Sequence, residues 1–156
     1  MAMHRFSPTH YFSTIGSHEP VLRIADGDSV ITQTIDAVGS DAAGELVHRG
    51  SNPQTGPFYI EGAEPGDALA VRFDSITPNR RHGISATVIA ERILDPEFVR
   101  TLPEPQRGNW EVDVEAGTVT LVEPETTLGR LAVPLAPMLG CFGVAPPGAQ
   151  AISTAT

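Results

Sequence analysis

The chain has 156 residues, the usual length of one domain, and is long enough to bury a core. Its 15 Gly and 14 Pro, with only 19% charged residues, favour many short strands joined by tight turns and argue against a helical bundle. The formal net charge of −9 argues against nucleic acid and acidic membranes as partners, because both need clustered Lys and Arg.

The first part of the chain is predicted to alternate short strands with turns. Residues 1–20 are predicted to form either an irregular arm or an edge strand around Tyr11–Phe12. A short strand is predicted at 21–24, and an Asp-Gly turn separates it from a β-branched strand at 29–35. The Gly-containing segment 38–49 is predicted to be a loop.

The stretch 51–67 is predicted to fold as turn, strand, turn. Pro53 and Pro57 fix the backbone around them, and Phe58–Ile60 is a run of strand-forming residues. Glu61 follows this strand directly, before a second turn. A carboxylate at the end of a short strand between two stiff turns is held in position before any ligand arrives, as catalytic sites require.

The remainder of the chain is also predicted to be rich in strands. The predicted elements are a strand at 68–77, an ambiguous strand at 84–94, a loop at 96–108 with one helical turn at 97–101, a hairpin at 110–122 and a strand at 130–135. Leu69, Val71 and Phe73 alternate with Arg72 and Asp74 and give the clearest strand pattern. The elements together predict an all-β fold: one jelly-roll-like β-sandwich domain over 1–156, with about eight or more short strands and long Pro/Gly-rich loops.

The sequence contains no complete catalytic motif. A nucleophile elbow, a Walker loop and a Cys-x-x-Cys pair are all absent. Cys141, the only cysteine, invites interpretation as a nucleophile. However, all ten basic residues are Arg, so a Lys-assisted cysteine site cannot be built and a buried structural cysteine is favoured. The single cysteine fits a reducing compartment. With no signal peptide or membrane span visible, a cytoplasmic location is expected.

Two carboxylates and two polar turn residues are the candidates for chemistry. Asp36 and Glu61 each stand where a predicted strand ends; a metal held by Asp or His, with a Glu as general base, can activate a water molecule for hydrolysis. The structural alternative is that Asp36 caps a turn and Glu61 pairs with an arginine. Asn52 and Thr55 could orient a substrate through side-chain hydrogen bonds, or could bond their own backbone.

The histidines are weaker candidates. His10, His48 and His82 lack the spacing that would make a shared metal site automatic, so surface or loop positions are favoured. His48 is retained because it lies just before the Asn52 turn.

Three segments in order carry a resemblance to a known family. Residues 52–67 read Asn-Pro-Gln-Thr-Gly-Pro-Phe-Tyr-Ile-Glu-Gly-Ala-Glu-Pro-Gly-Asp. Residues 26–37 run from Asp-Gly-Asp to Thr-Ile-Asp-Ala, and 137–146 read Pro-Met-Leu-Gly-Cys-Phe-Gly-Val-Ala-Pro. In this order the segments resemble the acetamidase/formamidase family.

The resemblance implies a jelly-roll β-sandwich and an amidohydrolase that converts formamide or acetamide to ammonia and a carboxylate. It implies Glu61 and Asp36 as catalytic residues, with Asp36 also a ligand of a divalent metal, zinc being the expected ion. Asn52 and Thr55 are the expected substrate-binding residues.

The resemblance covers the N-terminal half of family members, which run to roughly twice this length. It implies that a C-terminal half or a second chain completes the site, and a homo-oligomer is expected. A lone half should expose an apolar face where its partner docks. The alternative is a non-catalytic β-sandwich module for binding or assembly.

Overall fold

The computed structural model describes residues 1–86, 94–104, 106–146 and 151–152. The fold is all-β, as predicted, with several small sheets, and is consistent with a β-sandwich. The described elements are β1 (Met3–Arg5), β2 (Thr14–Ile15), β3 (Leu22–Ile24), β4 (Ser29–Ile31), β5 (Phe58–Ile60), β6 (His82–Ala86), α1 (Pro96–Val99), β7 (Arg107–Asp113), β8 (Thr118–Glu123), β9 (Ala132–Pro134) and β10 (Ala151–Ile152). The prediction of one sandwich domain stays a prediction.

The chain divides into two compact units. The first is Met1–Asp74 with the segment that begins at Leu139, and the second is Ser75–Met138. The first unit contains three two-stranded sheets: β1 with β4 and β3 with β5, both parallel, and β2 with β10, antiparallel.

The β3–β5 ladder positions one of the predicted site residues. Arg23 pairs in register with Tyr59, and both are exposed, whereas their neighbours along each strand are half-buried. Because successive strand residues alternate between faces, Glu61, two residues after Tyr59, lies on the Arg23 side of the ladder. The apolar run and the turns on either side of it therefore set the position of this carboxylate.

The second unit is built on one antiparallel sheet in the order β6-β7-β8-β9. The predicted hairpin is confirmed as β7–β8, where Trp110 pairs with Leu121 and Val112 with Val119. These side chains share one face of the hairpin, as the alternation predicts. The predicted helical turn is confirmed as α1, whose first turn is capped by the Asp95 side chain accepting from the Glu97 amide at 2.8 Å.

Most predicted strands are present, but the observed strands are shorter than the predicted ones. The strands predicted at 21–24, 29–35 and 130–135 correspond to β3, β4 and β9. The segment 1–20 contains β1 and β2, and around Tyr11–Phe12 the structure has an isolated bridge between Phe12 and Gln54 in place of an edge strand. Of the strand predicted at 84–94, β6 accounts for the start, and 87–93 lie outside the described residues.

The clearest strand prediction, at 68–77, is wrong. The structure assigns no strand to this segment, and Leu69, Val71 and Phe73 are 41%, 60% and 44% exposed. Alternation makes a segment suited to a strand, but a strand forms only when a neighbour supplies the ladder hydrogen bonds. In the described parts of the chain no strand pairs with this segment.

Burial is low in the described part of the chain. Val112, 9% exposed, is the one large hydrophobic side chain there that counts as buried. Two-stranded sheets cover little apolar surface, which explains the shortfall from the expected core. No described helix has the length and apolar character needed to span a membrane.

Candidate functional site

The turn before β5 is fastened to the rest of the first unit at three points. The Asn52 amide donates to the Ala37 carbonyl at 2.8 Å, and the Gln54 amide donates to the Phe12 carbonyl at 2.8 Å. The Thr55 hydroxyl donates to the Gln33 carbonyl at 3.1 Å. Asn52 has a left-handed backbone, φ 49°, which this residue type tolerates better than most. The segment is therefore fixed in place, and the Thr55 hydroxyl uses its hydrogen-bond donor within the fold.

Asp36 closes the turn next to this segment. Its Oδ1 accepts from the amides of Val38 at 3.0 Å and Ser40 at 2.8 Å. This is the turn-capping arrangement considered as the structural alternative for Asp36. The turn also contains Ala37, whose carbonyl accepts a hydrogen bond from the Asn52 amide. Asp36 and Asn52 therefore lie in segments that are hydrogen-bonded to each other.

Glu61 forms an ion pair with an arginine. Arg23 Nε donates to Oε1 at 2.6 Å and Nη2 donates to Oε2 at 3.3 Å, and the guanidinium carbon lies 3.8 Å from the Tyr59 ring centroid. The hydrogen bonds and charge of Arg23 lower the pKa of the Glu61 carboxyl. The backbone of Glu61 is also fixed to β3, because its amide donates to the Ile24 carbonyl at 2.7 Å.

A second group of polar side chains surrounds His48 in the same unit. Ser13 Oγ lies 2.9 Å from His48 Nε2, with both residues half-buried, and the Tyr11 ring stands edge-on to the imidazole. Burial, and secondarily the charge of Asp41, raise the pKa of Tyr11. Sequence reasoning kept His48 only for its nearness to Asn52, and it missed Ser13, because a lone serine in a polar arm gives no signal.

The predicted metal site is not assembled by the described residues. They contain no group of three or more His, Cys, Asp or Glu side chains arranged to hold an ion. Asp36 Oδ1 is already occupied by two amide hydrogens, which compete with a cation for its lone pairs. The described residues alone therefore do not fit a zinc ion, and no catalytic step is assigned to one.

Two open surface depressions in the described residues lie on the sheet of the second unit. Both are lined around Gly83, Ile84 and Trp110, and one also receives Arg81 and Arg107. Neither contains Asp36, Asn52, Thr55 or Glu61. Cys141 is half-buried and is not part of any disulfide.

Comparison with known proteins agrees with the motifs described above. No curated protein and no solved structure gives a significant match. A family model described as the acetamidase/formamidase family matches residues 18–153, which include the Asp36 turn, the Asn52 segment and Glu61. Because this match spans most of the sequence, the chain belongs to the acetamidase/formamidase family.

Proposed function

We propose that this chain takes part in the hydrolysis of a short aliphatic amide, formamide or acetamide, to ammonia and a carboxylate. Family membership over residues 18–153 is the observation that carries the proposal. The fixed geometry of the Asn52 segment supports it, since a site that orients a small amide needs its polar groups held in place.

The catalytic roles of Glu61 and Asp36 remain part of this proposal as predictions. A general base must accept a proton, and the ion pair with Arg23 favours the ionised form of Glu61 and opposes protonation. Glu61 could therefore act as a base only after Arg23 moves away. To act as a metal ligand, Asp36 Oδ1 would likewise have to give up a hydrogen bond to a turn amide.

We propose that further polypeptide, from the same enzyme or a second chain, completes the site. The exposed apolar side chains support this idea: Val71 and Phe142 are each 60% exposed, although Phe142 contacts Phe73 edge-on at 5.2 Å. Apolar surface of this kind is typical of an interface. A divalent metal would need most of its ligands from that added polypeptide.

A non-catalytic binding or assembly module is the second candidate. It is favoured by one observation: Asp36, Thr55 and Glu61 each bond a backbone group or an arginine within the fold. Those bonds would hold the same residues in a module that has lost, or never had, activity.

Ammonia release from formamide and acetamide tests the proposal. The purified protein is assayed by a coupled ammonia assay, and the same sample is measured for intact mass and for metal content. Ammonia production that scales with protein concentration is the expected result. A folded sample that releases no ammonia, whatever the added divalent metal and whatever chain co-purifies, would leave the binding module as the function.

A further inference from the structure

The Ser13–His48 pair joins two distant parts of the chain in a fixed geometry. The two side chains are 35 residues apart in sequence, and their hydrogen bond is 2.9 Å long. The backbone beside Ser13 is held by the Phe12–Gln54 bridge, and the His48 amide donates to the Gly39 carbonyl at 3.2 Å. The hydroxyl and the imidazole are therefore positioned by the fold.

Two glycines make room for this pair. A Cβ at Gly50 would clash with Ser13 Oγ and would lie 3.1 Å from His48 Nε2. A Cβ at Gly39 would clash with the His48 carbonyl oxygen. Both glycines also have positive φ, 145° and 92°, which a side chain disfavours. No larger residue fits at either position while the pair keeps its geometry.

A neighbouring hydroxyl–imidazole pair provides a contrast. Thr14 Oγ1 lies 2.8 Å from His18 Nε2, but these residues are four apart, and the His18 ring is stacked on Phe12 with centroids 3.8 Å apart. That contact is local and its imidazole is packed against an aromatic ring. The Ser13–His48 pair, by contrast, brings together a primary hydroxyl and an imidazole from two separate segments.

We propose that Ser13 is a nucleophile and His48 its general base, forming an acyl-enzyme with a short amide. This inference rests on the proposed amidase function and adds a site that the sequence did not predict. A serine hydroxyl becomes an effective nucleophile when an adjacent base within hydrogen-bond distance takes its proton, and a neutral imidazole is the usual base.

The reaction balances in two halves. Ser13 Oγ bonds to the amide carbonyl carbon while its proton passes to His48 Nε2. The tetrahedral adduct then collapses, the C–N bond breaks, and His48 returns the proton to the nitrogen, which leaves as ammonia. Water next attacks the acyl ester and gives a proton to His48. The bond between the acyl carbon and Oγ breaks, Ser13 regains the proton, and the carboxylic acid leaves.

A fluorophosphonate probe tests the nucleophile independently of amide turnover. The full 156-residue chain is incubated with the probe, digested and analysed by peptide mass spectrometry. We expect labelling at Ser13, none at that position in Ser13→Ala, and labelling about a hundredfold slower in His48→Asn. His18→Asn is the matched control and should label at the normal rate. A folded wild-type protein in which Ser13 stays unlabelled would overturn the proposal.

A second variant covers the case in which His48→Asn fails to fold. Ser13→Cys keeps the size of the side chain, and iodoacetamide should alkylate it faster than Cys141 in the same molecule, because the imidazole promotes the thiolate. Equal or slower alkylation counts against the pair. Labelling of Ser13 without any ammonia release would keep the nucleophile and reject the amidase function. Ammonia release that survives Ser13→Ala would keep the amidase function and reject Ser13 as the nucleophile.

Discussion

The Glu61–Arg23 ion pair shows how one residue can fit a motif and still have a structural role. Both side chains are substantially exposed, 49% for Glu61 and 59% for Arg23, so solvent screens the pair and its contribution to stability is modest. Its geometry nevertheless ties the end of β5 to β3.

On the acyl-enzyme route through Ser13, Glu61→Gln should lower ammonia release much less than Ser13→Ala, because the Glu61 carboxylate is already paired with Arg23. Arg23→Lys is the matched control: it keeps the charge but loses the two-point contact. Initial rates on acetamide, with melting temperatures of each variant, provide the measurement. A loss of two orders of magnitude or more in Glu61→Gln, with its melting temperature unchanged, would instead support the base role that the family resemblance implies.

The Asp28 carboxylate is held by several hydrogen bonds. It accepts from His4 Nε2 at 3.0 Å, from the Ala2 amide at 2.5 Å and from the Ala25 amide at 3.1 Å. These hydrogen bonds, the one from His4 first, hold the pKa of Asp28 well below its usual range. The residue thereby fastens β1 to the start of β4.

This lowered pKa predicts a loss of stability in acid. A carboxyl whose pKa is depressed in the folded state stabilises the fold above its unfolded pKa, about 4, and that stabilisation is lost as the pH falls through the folded value. Urea unfolding at pH 7, 4 and 2 should therefore show a steeper decline for the wild type than for Asp28→Asn. Asp26→Asn, at an exposed neighbouring position, should follow the wild type; parallel declines for wild type and Asp28→Asn would contradict the assignment.

At the scale of the local element, the loop 36–50 depends on close backbone approach. The amides of Val47 and His48 both donate to the Gly39 carbonyl, at 3.0 and 3.2 Å, and fold the loop back on its own turn. A side chain at position 39 would have to displace His48.

We predict that Gly39→Ala destabilises the chain more than Gly66→Ala. Both glycines have positive φ, 92° and 103°, so each substitution carries a backbone penalty of about 1–2 kcal/mol. Only Gly39 adds a clash, because a Cβ at Gly66 meets nothing within 4 Å. Chemical denaturation of the two variants measures the difference, and Gly39→Ala should also slow probe labelling at Ser13. Equal destabilisation would mean that the His48 backbone moves away from the added Cβ without lowering the free energy of unfolding.

The sequence predicted the elements whose signals are local. The turn–strand–turn around Phe58 and the β7–β8 hairpin follow from proline geometry and strict alternation, and both are present. The segment after Asp67 failed because alternation says nothing about whether a neighbouring strand exists. For the candidate residues, turn chemistry predicted that Asp36 caps a turn and that Glu61 pairs with an arginine, and both contacts are present. Ser13 and His48 meet only through long-range folding, which leaves no mark in either local sequence.

At the scale of the whole molecule, we expect the exposed apolar segment around Phe73 to pair with a second copy of the chain. Arg72 and Asp74 flank Phe73 and are 88% and 58% exposed; within the chain they pair with each other, Arg72 Nε donating to Asp74 Oδ1 at 2.6 Å, so a second copy would exchange this ion pair for one between chains. In an antiparallel pairing centred on Phe73, Arg72 of each copy would lie opposite Asp74 of the other copy. The same pairing would supply the ladder hydrogen bonds that this strand-like segment lacks among the described residues.

We therefore predict a homo-oligomer that depends on this segment. Light scattering coupled to size exclusion should give a mass above the 16.5 kDa of one chain. The double change Val71→Thr with Phe73→Ser should shift the protein towards that single-chain mass, since it removes apolar area from the centre of the pairing. Val114→Thr is the control, because Val114 is as exposed as Phe73, at 44%, but lies in the second unit outside this segment. A wild type that stays at 16.5 kDa across all concentrations would contradict the homo-oligomer, whereas a Val114 variant that dissociates equally would place the interface elsewhere, because apolar burial at the segment then contributes nothing specific to association.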